Sequence, residues 1–236
     1  GFCLVGSEMC IRDRNKVDFG FFLRFNKKLQ NMSPDEFIDK ILSKLNIKYL
    51  MVGDDFKFGK ERSGDFDFLS DWGSNNQIEV DRIPTHSFEG RRVSSTWIRE
   101  SIADGNFDLA AKLLDRRYTF SGKVVFGNKV GRTIGVPTAN IWVPKSNLPI
   151  KGVYAVKASV KGETFNGIAN MGVRPTVGGT SPVLEIHIFD FNEEIYGCRI
   201  EVEFYQKIRD EKKFENLDKL KEQINLDIAE TRKYFS

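Results

Sequence analysis

The fold class of this chain follows from two stretches, GVYAVKASV at residues 152–160 and VLEIHIFDF at residues 183–191. Both are rich in β-branched and aromatic side chains, which pack well on the surface of a sheet. In the second stretch apolar residues alternate with Glu185 and His187, so the two kinds of side chain face opposite sides of a strand. Both stretches are therefore predicted to be strands with one face in a core.

Similar segments occupy much of the second half of the chain. They lie at residues 118–126, 164–170 and 196–205, with Gly- or Pro-containing turns between them and no helical pattern. This arrangement favours a mostly antiparallel sheet or a small barrel. A terminal helix is predicted over about residues 216–234, with one apolar face made by Leu217, Leu220, Ile224 and Ile228. Its many Lys and Glu residues are interpreted as the solvent-exposed face.

The first half of the chain alternates helical and strand patterns instead. SPDE at residues 33–36 has the residues of a capping box, with Pro at the first helical position. Strands are predicted at 48–52 and 78–83, and short helices at 95–102 and 107–115, the second with Asn106 as its N-cap. The expected result is a parallel α/β sheet. We thus expect an α+β protein of two domains, residues 15–116 and 117–236.

Residues 1–14, GFCLVGSEMCIRDR, do not lead into the pattern that begins near Val17. They are too short and too polar for a signal peptide, so we interpret them as a non-native leader. They contain Cys3 and Cys10, which leaves Cys198 as the third cysteine. Because there is no CxxC or Cys/His spacing, neither a disulfide framework nor a zinc site is expected, and the predicted location is the reducing cytoplasm.

The charge and hydropathy patterns argue against two classes of partner. The chain has 36 basic and 33 acidic residues, a net charge of +3 and no long basic block, so a nucleic-acid role is not expected. No apolar run approaches the ~20 residues that a membrane-spanning helix needs. The sequence carries no signal for an oligomeric state.

A glycine-rich loop is the first candidate for chemistry. Gly127, Gly131 and Gly135 flank Lys129 and Arg132 within nine residues. A loop of this kind exposes backbone N–H groups that can surround phosphate oxygens. It is not a P-loop, because the Gly-Lys-Ser/Thr ending is missing and no helical pattern follows. The alternative interpretation is an ordinary hairpin connection.

The loop continues into PTAN at residues 137–140, which carries a pair of oxygen donors. Thr138 and Asn140 are two apart in an extended segment, so their side chains point the same way. A hydroxyl and an amide oxygen beside a phosphate loop suit Mg²⁺, which takes few protein ligands and completes its shell with water and nucleotide oxygens. Alternatively, both residues cap a turn after Pro137.

Two further positions are candidates. Glu185 is a carboxylate on a strand with apolar neighbours, which makes it a candidate general base for an alcohol; the alternative is a solvated strand residue. The stretch from Asn170 to Thr176 is predicted to be a loop, in which Arg174 supplies a cation. It is equally compatible with a plain connection.

Taken in order, the motifs of the second half resemble the riboflavin kinase family. They are GRTIGVPTAN at 131–140, GVYAV at 152–156, NMGVRPT at 170–176 and LEIHIFDF at 184–191. The resemblance covers residues 117–235, and PTAN is its most specific part. The family fold is a six-stranded antiparallel Greek-key β-barrel with a C-terminal helix. The resemblance implies that riboflavin and ATP are the small-molecule substrates and that FMN is the product.

The same resemblance implies roles for single residues. Glu185 would deprotonate the terminal ribityl hydroxyl of riboflavin. Thr138 and Asn140 would hold Mg²⁺ together with the ATP phosphates, and the glycine-rich loop would close over the nucleotide. Arg209 lies near a family position that contacts the flavin product. Phosphoryl transfer depends mainly on positioning and charge neutralisation, so these groups would suffice.

The first half resembles the FMN adenylyltransferase module that is fused to this kinase in bacterial bifunctional riboflavin kinase/FAD synthetases. VGDDFKFG, which contains Asp55, matches the flavin-side loop of that module. VSSTWIR matches its nucleotide motif, in which Ser95, Thr96 and Arg99 would contact ATP phosphates at a helix N-terminus.

This half departs from the family pattern in one respect. The family module begins with a strand and a His-x-Gly-His pair, whereas this chain has only His86 and His187, far apart. We therefore expect an incomplete α/β nucleotidyltransferase (Rossmann-like) remnant with little or no FAD-forming activity. Its unpaired sheet edge would make residues 15–105 less stable than the barrel and prone to association. Two alternatives are a fragment of a bifunctional enzyme that also makes FAD when full-length, and a non-catalytic flavin-binding module.

Overall fold

The computed structural model describes residues 16–127, 131, 135–143, 148–176 and 179–236. The chain folds into two compact units, residues 19–93 and a unit that contains residues 94–236. The division after residue 116 that the sequence suggests for the two family modules stays a prediction. In the structure, the two helices that precede this division belong to the same unit as the barrel.

The unit of residues 19–93 combines short helices with a small parallel sheet. Its helices are α1 (Lys27–Gln30), α2 (Pro34–Lys40) and α3 (Phe66–Asn75), with 3₁₀ turns at Leu42–Lys44 and Lys60–Arg62. β1 (Tyr49–Gly53) pairs in parallel with β2 (Glu79–Ile83), and β3 (Ser87–Phe88) pairs antiparallel with β4 (Arg91–Arg92). The parallel pair confirms the α/β character predicted for this half.

Helix α2 begins with the predicted capping box. Ser33 Oγ accepts a hydrogen bond from the Glu36 N–H at 3.2 Å, and the Glu36 carboxylate accepts one from the Ser33 N–H at 3.1 Å. The helix contributes Ile38 to a small core that also contains Val52 of β1 and Leu69 of α3. Capping and one apolar stripe thus account for this helix.

Helix α3 has no counterpart in the sequence analysis, because Gly73 and Asn75 weaken its helical pattern. In the structure Asp65 caps it by accepting a hydrogen bond from the Phe68 N–H at 3.1 Å. Leu69 is buried in the core of this unit. Tertiary packing therefore stabilises a helix that its propensity does not indicate.

The second unit is built around a closed antiparallel barrel of six strands. They are β5 (Thr119–Val125), β6 (Ala139–Trp142), β7 (Gly152–Val160), β8 (Glu163–Thr176), β9 (Gly179–Ile188) and β10 (Arg199–Arg209). Around the barrel their order is β10-β5-β6-β9-β8-β7. β7, β8 and β9 follow each other as hairpins, and β10 returns to lie beside β7, which is a Greek-key arrangement. The predicted barrel is confirmed.

The alternation of β9 places its apolar residues in the barrel interior. Leu184 and Ile186 are fully buried, as are Tyr154 of β7 and Phe204 of β10. Two helices, α4 (Ser95–Ala103) and α5 (Phe107–Leu114), precede the barrel. Phe107 of α5 packs edge-on against Tyr154 and stacks on Phe204, with ring centroids 5.5 and 5.8 Å apart. The barrel core therefore includes a side chain from a helix that lies outside the barrel strands.

The terminal helix α6 (Leu217–Phe235) packs on the outside of the barrel. Asn216 caps it by accepting a hydrogen bond from the Lys219 N–H at 2.9 Å. Ile228 packs against a buried cluster made by Val153, Ile168 and Phe189. Among the residues described, α6 included, no helix is long and apolar enough to cross a membrane.

One prediction about the barrel is wrong. The stretch from Asn170 to Thr176 is not a loop, because it continues β8. Its residues pair one by one with β9, from Asn170 opposite Glu185 to Thr176 opposite Gly179. Gly172 and Pro175 resemble turn residues in sequence, but the hydrogen-bond ladder of the hairpin extends the strand past them.

Candidate functional site

Five neighbouring strands present one row of side chains on the outer face of the barrel. In register order the row is Asn140 (β6), Glu185 (β9), Asn170 (β8), Val153 (β7) and Arg209 (β10). Directly opposed residues of antiparallel strands place their side chains on the same face. The residues on either side of Glu185 in sequence fill the barrel interior, so the row faces outward.

A cavity of about 360 Å³ lies between this row and helix α6. We call it the α6 pocket. Its apolar walls come from Val153, Ile168, Ala169, Phe214, Leu220 and Ile224. Its polar lining comes from Thr138, Asn170, Glu185, His187, Arg209, Glu211, Lys212 and Asp227. A concave, largely apolar cavity with a few convergent polar groups is typical of a small-molecule site.

A second cavity, of about 310 Å³, lies along the start of β6. We call it the β6 cavity. It is lined by residues 137–139 and 191–196, together with side chains of β5 and β9. The ring of Tyr196, one of its lining residues, stacks on the exposed ring of Phe126 with centroids 4.1 Å apart. Thr138 lines both cavities, so ligands in the two would meet at this residue.

The predicted metal pair, Thr138 and Asn140, lies against the glycine-rich loop. Asn140 is only 4% exposed. A Cβ added to Gly127 would lie 2.5 Å from Asn140 Cγ, and one added to Gly131 would lie 3.3 Å from Thr138 Oγ1. A side chain at Gly127 would therefore displace Asn140, and one at Gly131 would crowd Thr138 and clash with the Val136 carbonyl. The Gly131 carbonyl also accepts a hydrogen bond from the Val136 N–H at 2.8 Å, which fixes the end of the loop.

The donor chemistry of this pair fits Mg²⁺ bound together with a nucleotide. A hydroxyl and an amide oxygen are hard, neutral ligands, and Mg²⁺ normally adds phosphate oxygens and water to so small a set. Among the residues that the structure describes, no group of three or more His, Cys, Asp or Glu side chains could hold a metal ion alone. A pair of neutral oxygen donors suits a metal that arrives with its nucleotide.

Three predicted cations have side chains that the structure does not describe. Lys129 and Arg132 lie outside the described residues. Arg174 lies in β8 opposite Ser181 of β9, and its side chain is likewise outside the described part.

Gly135 has φ of +82°, a left-handed conformation that favours glycine at this position.

Glu185 is half-buried in the wall of the α6 pocket, with Asn140 and Asn170 beside it in the row. Two residues further along β9, His187 Nδ1 donates a hydrogen bond to the Pro137 carbonyl at 2.8 Å. This bond ties β9 to the segment that carries Thr138. The structure therefore brings the predicted base and the predicted metal pair to one edge of the α6 pocket.

Arg209 reaches the opposite side of the α6 pocket, where it meets a residue that the sequence analysis missed. Its Nε and Nη2 donate to the carboxylate of Asp227 on α6, at distances of 2.8–3.0 Å. Its Nη1 donates to the Asp210 carbonyl at 2.9 Å. The guanidinium carbon lies 5.6 Å from the centre of the Phe214 ring.

Asp227 could have been found from the helical pattern. It stands three residues after Ile224 and one before Ile228, on the apolar face of α6. A charge on a face that packs against the barrel needs a partner. The Lys and Glu residues of α6 are interpreted as its solvent-exposed face, and Asp227, which is 3% exposed, lies outside that face.

In the unit of residues 19–93, Asp55 forms an ion pair with Arg92, at 2.6 Å. The neighbouring Asp54 accepts hydrogen bonds from the backbone and side chain of Thr85, which hold the pKa of its carboxyl below its usual range. The predicted flavin-side loop is thus tied to the segment that carries Thr85 and Arg92.

Ser95, Thr96 and Arg99 are exposed at the start of α4, in the unit that holds the barrel. Ser94 caps this helix by accepting a hydrogen bond from the Trp97 N–H at 3.2 Å. The three predicted nucleotide contacts therefore share one helix N-terminus, where a phosphate is favoured.

Comparison with known proteins identifies two family matches along the chain. The riboflavin kinase family matches residues 114–235, and the FAD synthetase family matches residues 9–97. The second match includes residues 9–14, part of the segment interpreted above as a non-native leader.

Full-length relatives carry both activities in their names. The bifunctional riboflavin kinase/FMN adenylyltransferase of Haemophilus influenzae is 44% identical over 226 residues, which are 95% of this chain and 73% of that protein. The enzyme of the same name from Pseudomonas fluorescens is 44% identical over 218 residues, 92% of this chain and 70% of that protein.

A solved structure, that of a protein described as a macrolide-efflux protein from Streptococcus pneumoniae, superimposes with a TM-score of 0.80 at 32% identity. It covers 97% of this chain and 75% of that protein, and the efflux description applies to that protein. The fold, the ordered motifs and the two family matches agree along the chain. The chain therefore belongs to the bifunctional riboflavin kinase/FMN adenylyltransferase family, and residues 114–235 are its riboflavin kinase part, which converts riboflavin into FMN.

Proposed function

We propose that the α6 pocket binds riboflavin, that the β6 cavity binds ATP, and that the phosphoryl group passes between them at Thr138. The observation that carries this assignment is that Thr138 lines both cavities. A kinase must hold its acceptor hydroxyl facing the terminal phosphate of the donor. The apolar walls of the α6 pocket suit a flat flavin ring, and Tyr196 offers an aromatic surface for a base in the β6 cavity.

Glu185 acts as the general base. Its strand is hydrogen-bonded on both sides, by β6 and β8, so its backbone is held in a fixed place beside the α6 pocket. The carboxylate takes the proton of the terminal ribityl hydroxyl of riboflavin. The hydroxyl oxygen then bonds to the γ-phosphorus, the bond from that phosphorus to the ADP oxygen breaks, and FMN and ADP result.

Thr138 and Asn140 hold Mg²⁺, which when bound neutralises charge on the ATP phosphates. We propose that the loop from Gly127 to Gly135 closes over those phosphates, as the family resemblance implies, and that Lys129 and Arg132 are its source of positive charge. The close packing of Gly127 on Asn140 supports this role, since it brings the loop backbone directly onto the metal pair.

FMN, and not FAD, is the product of this chain. The residues of the nucleotide motif, Ser95, Thr96 and Arg99, are present. However, the 236 residues contain no His-x-Gly-His sequence, since the two histidines stand at positions 86 and 187. The histidine pair that would stabilise charge developing on the α-phosphate is therefore not among these residues.

The test is a product assay with riboflavin, ATP and Mg²⁺ in which FMN and FAD are separated by chromatography. The chain should form FMN without FAD. Glu185→Gln should lower kcat by about a hundredfold or more while riboflavin still binds, because the variant keeps the shape of the side chain and loses the base. Glu163→Gln, at an exposed position of β8, is the matched control and should leave the rate unchanged.

Two outcomes would contradict these assignments. Formation of FAD at a rate comparable to that of FMN would show that the adenylyltransferase part is active. Binding of riboflavin without turnover, in the unchanged chain as well as in the variant, would identify a non-catalytic flavin-binding module.

A further inference from the structure

A buried carboxylate closes one end of the α6 pocket. Asp227 lies on α6, is 3% exposed, and belongs to the pocket lining. A buried carboxylate is costly unless charge-assisted hydrogen bonds compensate the loss of water. The hydrogen-bond partners of Asp227 therefore indicate the role of this carboxylate in the pocket.

Its main partner is Arg209, which reaches it from β10. Nε of Arg209 lies 3.0 and 2.9 Å from the two carboxylate oxygens, and Nη2 lies 2.8 Å from one of them. The Arg209 side chain is 14% exposed, so this ion pair is largely shielded from water. Gln223, one turn earlier on α6, donates a hydrogen bond to the carboxylate at 2.8 Å, which fixes its orientation.

These contacts fix the plane of the guanidinium. Asp227 holds one edge, and the Asp210 carbonyl accepts from Nη1 at 2.9 Å. A guanidinium has five N–H groups, so these bonds leave further N–H groups on Nη1 and Nη2. Arg209 lines the α6 pocket, and these groups can donate to a polar ligand there.

We propose that Asp227 is a positioning residue that holds Arg209 in the orientation in which it binds riboflavin. This role rests on the proposed binding of riboflavin in the α6 pocket. Asp227 makes no contact with the phosphoryl group, because the base and the metal pair lie at the other end of the row, on β6 and β9. Its removal should therefore weaken riboflavin binding and leave the rate at saturation unchanged.

A second ion pair separates this role from simple anchoring of the helix. Arg232, also on α6, forms a two-pronged pair with Asp190, at 3.1 and 2.9 Å, and neither residue lines the α6 pocket. Loss of that pair, whose side chains are 50% and 77% exposed, removes a surface contact of the same helix without touching Arg209. Asp190→Asn is thus the matched control for Asp227→Asn.

The experiment compares the unchanged chain with Asp227→Asn, Arg209→Gln, the double variant and Asp190→Asn. Riboflavin affinity is measured directly, from the quenching of flavin fluorescence, and KM and kcat are measured for riboflavin and ATP. Asp227→Asn should raise the Kd and KM for riboflavin by about tenfold or more and leave kcat and the ATP KM within about twofold. Asp190→Asn should leave all of these values unchanged.

The double variant tests whether Asp227 acts through Arg209. If it does, Asp227→Asn should add no further loss of riboflavin affinity in the Arg209→Gln background. Asp227→Glu keeps the charge but moves it by one methylene. It replaces Asp227→Asn if that variant does not fold, and it should also raise the Kd for riboflavin.

The inference is overturned if Asp227→Asn or, in its place, Asp227→Glu leaves riboflavin affinity unchanged. It is also overturned if Asp190→Asn weakens riboflavin affinity as much as Asp227→Asn does. The same holds if the loss of affinity in the double variant equals the sum of the losses in the two single variants. Because affinity is measured without turnover, these results are distinct from a failure of the proposed function, in which the unchanged chain binds no riboflavin or forms no FMN.

Discussion

Of the residues that the structure describes, Thr138 alone lines both the α6 pocket and the β6 cavity. Thr138→Val keeps the shape of the side chain and removes its hydroxyl. We expect the Mg²⁺ concentration for half-maximal activity to rise by about tenfold or more, with riboflavin affinity unchanged, because a metal ligand is lost. Chelation of Mg²⁺ should abolish activity in the unchanged chain. Titration of activity with Mg²⁺ is the measurement.

Thr164→Val is the control for this variant. Thr164 is exposed on β8, where its hydroxyl bonds to that of Ser159, and it lines neither of the two cavities. A Mg²⁺ requirement that is the same in Thr138→Val and in Thr164→Val would remove Thr138 from the metal site.

Tyr154 links the barrel core to the pH dependence of stability. Its hydroxyl donates to the Lys151 carbonyl at 2.7 Å and accepts from the Lys151 N–H at 2.8 Å. Burial raises the pKa of Tyr154 from 10.0 to about 12. Because the folded-state pKa exceeds the unfolded value, this residue contributes stability that is fully present below pH 10.0 and is lost as the pH rises through about 12.

We expect Tyr154→Phe to lower the free energy of unfolding by about 1–3 kcal/mol at neutral pH, since the Lys151 N–H loses its acceptor. The same variant should lose less stability than the unchanged chain between neutral and strongly alkaline pH. Denaturant unfolding at both pH values measures the two effects. If Tyr154→Phe loses as much free energy of unfolding at alkaline pH as the unchanged chain, then Tyr154 does not contribute to the alkaline loss of stability.

Some residues of the candidate site could be predicted from the sequence alone, and others could not. Three residues could be picked out from the sequence. Glu185 is a carboxylate among the apolar residues of a strand, and Thr138 and Asn140 are polar residues two apart in an extended segment. The structure brings them to one edge of the α6 pocket. Arg209 was placed only by family resemblance. The place of Asp227 on the apolar face of α6 can be read from the sequence, but its partner cannot, because Arg209 stands 18 positions earlier and no local pattern connects the two.

Among the elements, α5 contributes most to the barrel from outside it. Phe107 is 1% exposed and packs on Tyr154 and Phe204 in the core. Phe107→Ala should lower the free energy of unfolding of the barrel unit by about 3–5 kcal/mol, because it leaves a cavity among packed rings. Thermal or denaturant unfolding followed through kinase activity measures this.

Leu109→Ala is the comparison for that variant. Leu109 lies on the same helix but is only half-buried, so a smaller loss is expected. If the two variants lose the same free energy of unfolding, the loss reflects the stability of the α5 helix itself. It would then not reflect the insertion of Phe107 into the barrel core.

At the level of elements, the sequence was most informative where a pattern repeats. Five of the six barrel strands were predicted, wholly or in part, from segments rich in Val, Ile, Phe and Tyr, and the capped helix α2 was predicted from its capping box. Helix α3 and the second half of β8 were not, since tertiary packing and pairing with β9 override their local signals. The packing of α5 into the barrel core depends on contacts between distant residues, which no sequence pattern reveals.

For the whole molecule, the two compact units should differ in resistance to proteolysis. The unit of residues 19–93 has a parallel sheet of only two strands, and Phe19, Phe22 and Phe25 at its start are at least 76% exposed. A two-stranded sheet is marginally stable, and exposed aromatic side chains favour association. Limited proteolysis should therefore cleave this unit first and leave a fragment that contains α4, α5, the barrel and α6.

Mass spectrometry of the surviving fragment identifies its first residue. A fragment that begins near Ser94 is expected, since α4 and α5 belong to the barrel unit. A start after residue 116 would mean that the two helices are not held by the barrel, and equal resistance along the chain would contradict a difference in stability.

The row from Asn140 to Arg209 has a consequence for how this enzyme can change. Its five members are spaced by the hydrogen-bond ladders of a closed barrel, so the distance from base to arginine is set by strand pairing and not by any loop. A shift of β9 by one residue against β6 and β8 would turn Glu185 into the interior. Loops around the rim can therefore vary in length, through evolution or by design, without altering the spacing between Glu185 and Arg209.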